Sequence, residues 1–213
     1  MARPHRIKIP DNTYHIMSRT NGKRMYMKKK RDQKVLCGIL KLCCIKHAVI
    51  IYAFTPMVNH FHMMIRFESE TDLSKFMGEF KSKYAKYFNA KYKTSGHFWG
   101  DRFRSTLVQD DKHALACLRY IDRNAVKAGL VDHPGKWQMS SFRSYAFGEN
   151  HLLLPLEPHP TYLALAKSRV KRRAIYLDFV IGKDALSDEL HGRLHRLQFF
   201  GSAEFIQEVK RAL

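Results

Sequence analysis

Two histidines, His60 and His62, flank a single phenylalanine in the stretch NHFHMMIRF at 59–67. The odd positions Phe61, Met63, Ile65 and Phe67 are apolar, whereas the even positions are His60, His62, Met64 and Arg66. A period of two predicts a strand with one core face and one chemically equipped face. Residues i and i+2 of a strand project from the same face about 6 to 7 Å apart, within reach of one divalent cation. On a helix the same spacing would turn the two imidazoles about 200° from each other. The strand assignment makes the pair half of a metal site; two surface histidines that happen to alternate would show the same spacing.

A second set of residues is spaced for a helix. Asp110 and Asp111 supply acidic groups where a helix dipole favours them, and Gly129 stands where a helix closes, so 111–128 is predicted to be helical. His113, Cys117, Tyr120, Asn124 and Lys127 recur at steps of four and three, which places them on one stripe of that helix. Ala114, Leu115, Leu118, Ile121 and Ala125 are its core-facing residues. Two readings of the stripe stand side by side. In one, Tyr120 packs at the core margin and Asn124 faces water. In the other, Tyr120 is a nucleophile and Asn124 an oxygen ligand one turn away. A phenol, with an ordinary pKa near 10, is protonated at neutral pH, yet as a phenolate it is both nucleophile and leaving group. A divalent cation polarises a phosphodiester for such an attack.

These residues need elements to hold them. Alternation at 14–18 predicts a strand, and the turn cluster from Arg19 to Lys23 ends it. Apolar residues at steps of three and four over 32–46 predict a helix, as do those over 72–92. The run 48–54 is apolar and rich in β-branched residues, the pattern of a strand covered on both faces. The segment GHFWGDRFRSTLV at 96–108 is basic and aromatic, and reads as extended or looped. Past Gly148 the stretch 149–160 is proline-containing and aperiodic, a linker, and 161–213 is helix-patterned throughout, with a basic cluster at Lys167, Arg169, Lys171, Arg172 and Arg173.

Lys and Arg number 38 against 19 for Asp and Glu, a formal charge of +19 over 213 residues. With 45% hydrophobic residues this is a folded cationic body, and such a body calls for a polyanionic partner. Aromatics interleaved with cations favour nucleic acid over a membrane surface. In the basic-aromatic segment Phe98, Trp99 and Phe103 offer rings for stacking on bases, and Arg102 and Arg104 offer cations for phosphates. The bland alternative makes the rings core and the arginines solvated. Arg19, Arg123 and Lys127 are further expected DNA contacts. No apolar run approaches the roughly 18 to 20 residues of a membrane span. The four cysteines, Cys37, Cys43, Cys44 and Cys117, form no C-x-x-C pair, so a reducing compartment is expected, cytoplasmic and nucleoid-associated. His191 and His195 lie one helical turn apart without the glutamate of H-E-x-x-H and read as surface residues.

The block VNHFHMMI at 58–65 resembles the histidine-hydrophobic-histidine signature of HUH single-tyrosine transposases. The opening MARPHRIKIPDNTYHIMSRTNG, GHFWGDRFRS at 96–105, YIDRNAVKAGLV at 120–131 and HPGKWQMSS at 133–141 extend the resemblance, in order, to REP-associated tyrosine transposases over 1–148. Two positions depart from that pattern: Ala125 follows the asparagine where proline is common, and Thr20 stands where glycine is usual. The resemblance implies His60 and His62 as metal ligands, Asn124 as third ligand and Tyr120 as nucleophile, with Mg²⁺ or Mn²⁺ as cofactor. It also implies a 5′-phosphotyrosine on single-stranded DNA beside a hairpin, and a monomer or homodimer as the working unit. The expected fold is α/β in the α+β sense: a ferredoxin-like central antiparallel sheet with flanking helices at 1–148, a linker at 149–160 and a small helical region at 161–213. Two other functions compete with strand transfer. One is a catalytically silent nucleic-acid-binding protein on the same fold; the other is a metal-dependent hydrolase that uses an activated water and leaves Tyr120 dispensable.

Overall fold

Alternating strands and two long amphipathic segments build a sheet with helices on both faces. In the computed structural model, which describes residues 7–68, 71–182, 190 and 194–212, five strands run in the spatial order β2-β3-β1-β4-β5. They are β1 (Thr13–Arg19), β2 (Val49–Pro56), β3 (His60–Phe67), β4 (Arg104–Val108) and β5 (Phe199–Phe200). The connection from β1 to β2 contains α1 (Lys30–Lys46), and that from β3 to β4 contains α2 (Leu73–Tyr92). Every neighbouring pair among β1 to β4 is antiparallel, so the first half is the β-α-β-β-α-β ferredoxin-like unit expected. After β4 come α3 (Lys112–Lys127), α4 (Phe142–Phe147), α5 (Pro160–Leu163), α6 (Arg169–Ile181) and α7 (Ala203–Ala212).

Period-two alternation sends neighbouring side chains of each strand to opposite faces, and both faces are covered. Ile16, Phe61, Met63 and Ile65 pack with Leu36 and Leu40 of α1 and Phe76 and Phe80 of α2. On the other face Met64 and Val108 pack with Ala114, Cys117, Leu118 and Ile121 of α3. The even face of β3 is therefore not open, because α3 lies against β2, β3 and β4. Asp72 starts α2 by accepting from the Ser74 amide at 2.8 Å, and Asp111 starts α3 by accepting from the His113 amide at 2.7 Å. The four cysteines are buried and free. Among the described residues no helix is long and apolar enough to cross a membrane.

Two expectations about the second half change. The stretch 149–160 is packed along the sheet: Leu154 is in the core, the Glu157 amide donates to the Ile51 carbonyl at 2.9 Å, and His159 bonds Thr13 Oγ1 at 3.1 Å. Nor is 161–213 helical throughout, since β5 pairs with β4 in parallel and makes the sheet mixed. A two-residue strand has no periodicity to read.

The helix that carries Tyr120 is tied to the C-terminal elements by Asp122, which is fully buried. Its carboxylate accepts from Ser141 Oγ at 2.7 Å and from the Tyr176 hydroxyl at 2.7 Å. Burial pushes its pKa up from 3.8 to about 6, the hydroxyls pulling the other way. A raised carboxyl pKa makes stability fall as pH rises, here between about pH 4 and pH 6, by about 3 kcal/mol. Asp122→Asn cannot ionise and should escape that loss. Thermal melts of both proteins from pH 4 to pH 7 check this; a constant difference in Tm would mean that Asp122 titrates normally.

Candidate active site

Strand pairing sets out one side of the site. Arg19 lies directly across from His60 and Met17 across from His62, so β1 and β3 present these residues on one face. The His60 and His62 rings are 4.9 Å apart. His60 Nδ1 lies 2.6 Å from Asn59 Oδ1, so it donates there and leaves Nε2 as the free lone pair. A third imidazole, missed in the sequence, completes the group: His15 of β1 stacks on His62 at 5.1 Å, with its Nε2 2.9 Å from His62 Nδ1. His15 and His62 are 1% and 2% exposed.

From above, α3 brings Tyr120. The Tyr120 ring stands edge-on to His62 at 5.3 Å and to His15 at 5.7 Å. Asn124, also buried, uses its side-chain nitrogen to donate to the Tyr120 carbonyl at 2.7 Å, one turn back. The helix runs on through Ala125 to Lys127. The rest of the stripe is structural: the His113 ring bonds Asp111 at 2.8 Å and packs edge-on to Phe200, and Cys117 is fully buried.

Burial governs the charges here. It pushes His15 and His60 down to about 3, and His62 well below its ordinary range, with neighbouring imidazoles adding repulsion. All three are neutral at physiological pH, the state in which a ring nitrogen can ligate a metal. Burial also raises the Tyr120 phenol, against the opposing pull of Asn124 and Arg19. The arrangement is a protonated phenol resting on uncharged imidazoles beside a guanidinium.

His195 corrects a sequence reading. It sits half-buried in a turn, Leu194–Arg196, whose neighbouring carbonyls at Leu194 and Leu197 lie 2.9 and 2.8 Å from the Thr106 hydroxyl. Its charge state is felt by His15, His60 and His62, and burial with Arg19 and Arg104 lowers its own pKa to about 4. It lines a cavity of about 400 Å³ with Arg19, Lys23, Arg102 and Arg104. No local spacing foretells this, because the pairing of β5 with β4 brings His195 across about 130 residues of chain. His191 lies outside the described residues.

The expected DNA contacts divide. Arg102 and Arg104 are exposed, and with Arg19 they form the cationic cavity beside the histidines. Lys127 is exposed in the last turn of α3. Phe98 and Trp99, by contrast, are 3% and 8% exposed, packed with Tyr84, and the Trp99 indole donates to the Lys81 carbonyl at 2.9 Å. Phe103 is buried as well. These rings belong to the core and are not offered to bases. Arg123 is likewise engaged, donating to the Val180 carbonyl of α6 at 2.7 Å.

The family model of IS200-like transposases matches residues 8–124, from the approach to β1 through Asn124. The chain belongs to the IS200-like transposase family. Within that match lie His60, His62 and Tyr120, the residues that the geometry brings together. The fold of this transposase-family chain is similar to that of a REP associated tyrosine transposase solved bound to a REP hairpin. The TM-score is 0.60 at 21% identity, over 71% of this chain and 88% of that one. A putative transposase from Deinococcus radiodurans R1 is a more distant likeness, with a TM-score of 0.41 at 13% identity over 61% of this chain and 92% of that one. No curated protein matches.

Placing Phe98 in the core has a measurable consequence. Phe98→Ala should cost about 3 to 5 kcal/mol of stability, as other buried phenylalanines do, and lower Tm accordingly. Loss of DNA affinity at unchanged Tm would instead return the ring to a stacking role.

Proposed function

We propose that this protein breaks and rejoins single-stranded DNA beside a hairpin by transesterification on Tyr120, with Mg²⁺ or Mn²⁺ held by His60 and His62. The observation that carries the reading is the edge contact of the Tyr120 ring with His62 at 5.3 Å inside a neutral histidine cluster. The donor set suits a divalent cation. His60 Nδ1 is occupied by Asn59 and His62 Nδ1 by His15, the outer partners that orient an imidazole to ligate through Nε2. Among the described residues no three His, Cys, Asp or Glu side chains form a metal site; in this reading the third protein donor is the Asn124 amide oxygen, its nitrogen being engaged at the Tyr120 carbonyl. A cation bound there would polarise the phosphoryl oxygens and stabilise developing negative charge.

The chain's own residues do the rest. Tyr120 Oη forms a bond to phosphorus as the bond from phosphorus to the 3′ oxygen breaks. The phenol loses a proton and the departing 3′ oxygen gains one, so the step is proton-neutral. The 5′ end stays on the tyrosine, and a 3′-hydroxyl reverses the step without ATP because one phosphodiester replaces another. Arg19, Arg102 and Arg104 hold the strand through its phosphates. The tyrosine and histidines meet within one chain, which supports a site complete in each subunit of a monomer or homodimer, acting on chromosomal DNA in the cytoplasm.

Incubation of a hairpin oligonucleotide with protein and Mn²⁺ should give a covalent adduct that survives boiling in detergent. Tyr120→Phe should abolish it. His60→Ala should abolish cleavage yet leave hairpin affinity nearly unchanged, since phosphate contacts elsewhere supply most of it. Cleavage that persists in Tyr120→Phe with a free phosphate end would mean hydrolysis by water; binding with no cleavage under any metal would mean a silent binder.

A further inference from the structure

We propose a second DNA-docking site, remote in sequence from the nucleophile: the cleft between the 148–163 strap and α6 takes the phosphodiester backbone of the hairpin stem. It is a cavity of about 690 Å³, and Lys167, Arg169, Arg172 and Arg173 line it. The one carboxylate lining it, Glu149, is already held by Arg143 at 2.7 Å. The cations stand at the start of α6, whose first turn has no acidic residue. That end of a helix carries the positive pole of its dipole, so cations there work against helix stability. A bound polyanion reverses the sign of that effect.

The cleft is also tied to its neighbours by hydrogen bonds. Arg172 donates to the Ala166 carbonyl at 2.8 and 3.0 Å and covers the Tyr162 ring. At its far end α6 is fixed to α3 by Arg119 and Arg123, which donate to the carbonyls of Phe179 and Val180, and by the Tyr176 hydroxyl on Asp122. The helix bearing Tyr120 thus holds the cationic end of α6 at a set distance, as a dock that positions a stem relative to a cleaved strand requires. This site rests on the DNA-processing reading, and the test separates the two. Arg169→Glu with Arg173→Glu leaves the pinned Arg172 intact. In anisotropy titrations over a salt series the double variant should bind the hairpin ~10-fold more weakly, with a log-log salt slope smaller by about 2. Binding of the single strand without a stem, and its adduct with Tyr120, should not change. Unchanged hairpin affinity, or an equal loss for both substrates, overturns the dock. Competition by inorganic phosphate alone at low concentration would assign the cleft to a small anion and overturn it too. Absence of any DNA binding by the wild-type chain would defeat the parent reading.

Discussion

The site depends on the exclusion of water from His15 and His62, and its partial exclusion from His60, by the packing of α3 on the sheet. His15, His60 and His62 crowd together beside Arg19, so a proton added to any of them meets repulsion as well as lost hydration. They stay neutral, and neutral nitrogens are ligands. The same packing buries Tyr120 and raises its phenol. One constraint therefore keeps both the histidine rings and the Tyr120 phenol uncharged.

Holding α3 in place is the task of the second half of the chain. Arg119 is almost fully buried, yet its guanidinium caps carbonyls at the end of α6, as Arg123 does one turn later. Asp122, between them, takes hydroxyls from Ser141 and Tyr176. Polar contacts from three residues within about one turn thus lock the back of α3 while its front carries Tyr120. The β5 pairing adds His195 to the same region from the opposite edge.

Strand periodicity made the histidine pair legible, and helical periodicity made Tyr120 and Asn124 legible, because each signal is local and each element is long. The first five elements of the βαββαβ order could be read for the same reason, whereas the stretch that holds β4 read only as extended or looped and the ferredoxin-like plan came from the family resemblance. His15 escaped notice although it lies in a readable strand, since its meaning comes from the register of β1 against β3 and not from its own neighbours. Arg123 and Phe98 show the converse error. A cation on a stripe and a ring among arginines look like DNA contacts locally, but tertiary packing assigns one to a helix cap and the other to the core. The strap at 149–160 has no period at all, and its order comes from single bonds such as that from Glu157 to Ile51.

Charge arithmetic explains why so cationic a chain suits this site. A phosphodiester entering a dry pocket brings negative charge that would raise a buried phenol still further. Arg19 faces His60 across the strands and already pulls the Tyr120 phenol down. Arg102 and Arg104 share its cavity. In the proposed reaction each such cation would attract the strand and also offset the field that the strand imposes on Tyr120, so affinity and reactivity would draw on the same groups. Were Tyr120 the nucleophile, a site with the histidines and the tyrosine but without that excess of positive charge would hold its phenol protonated in the presence of DNA, when the phenolate is needed.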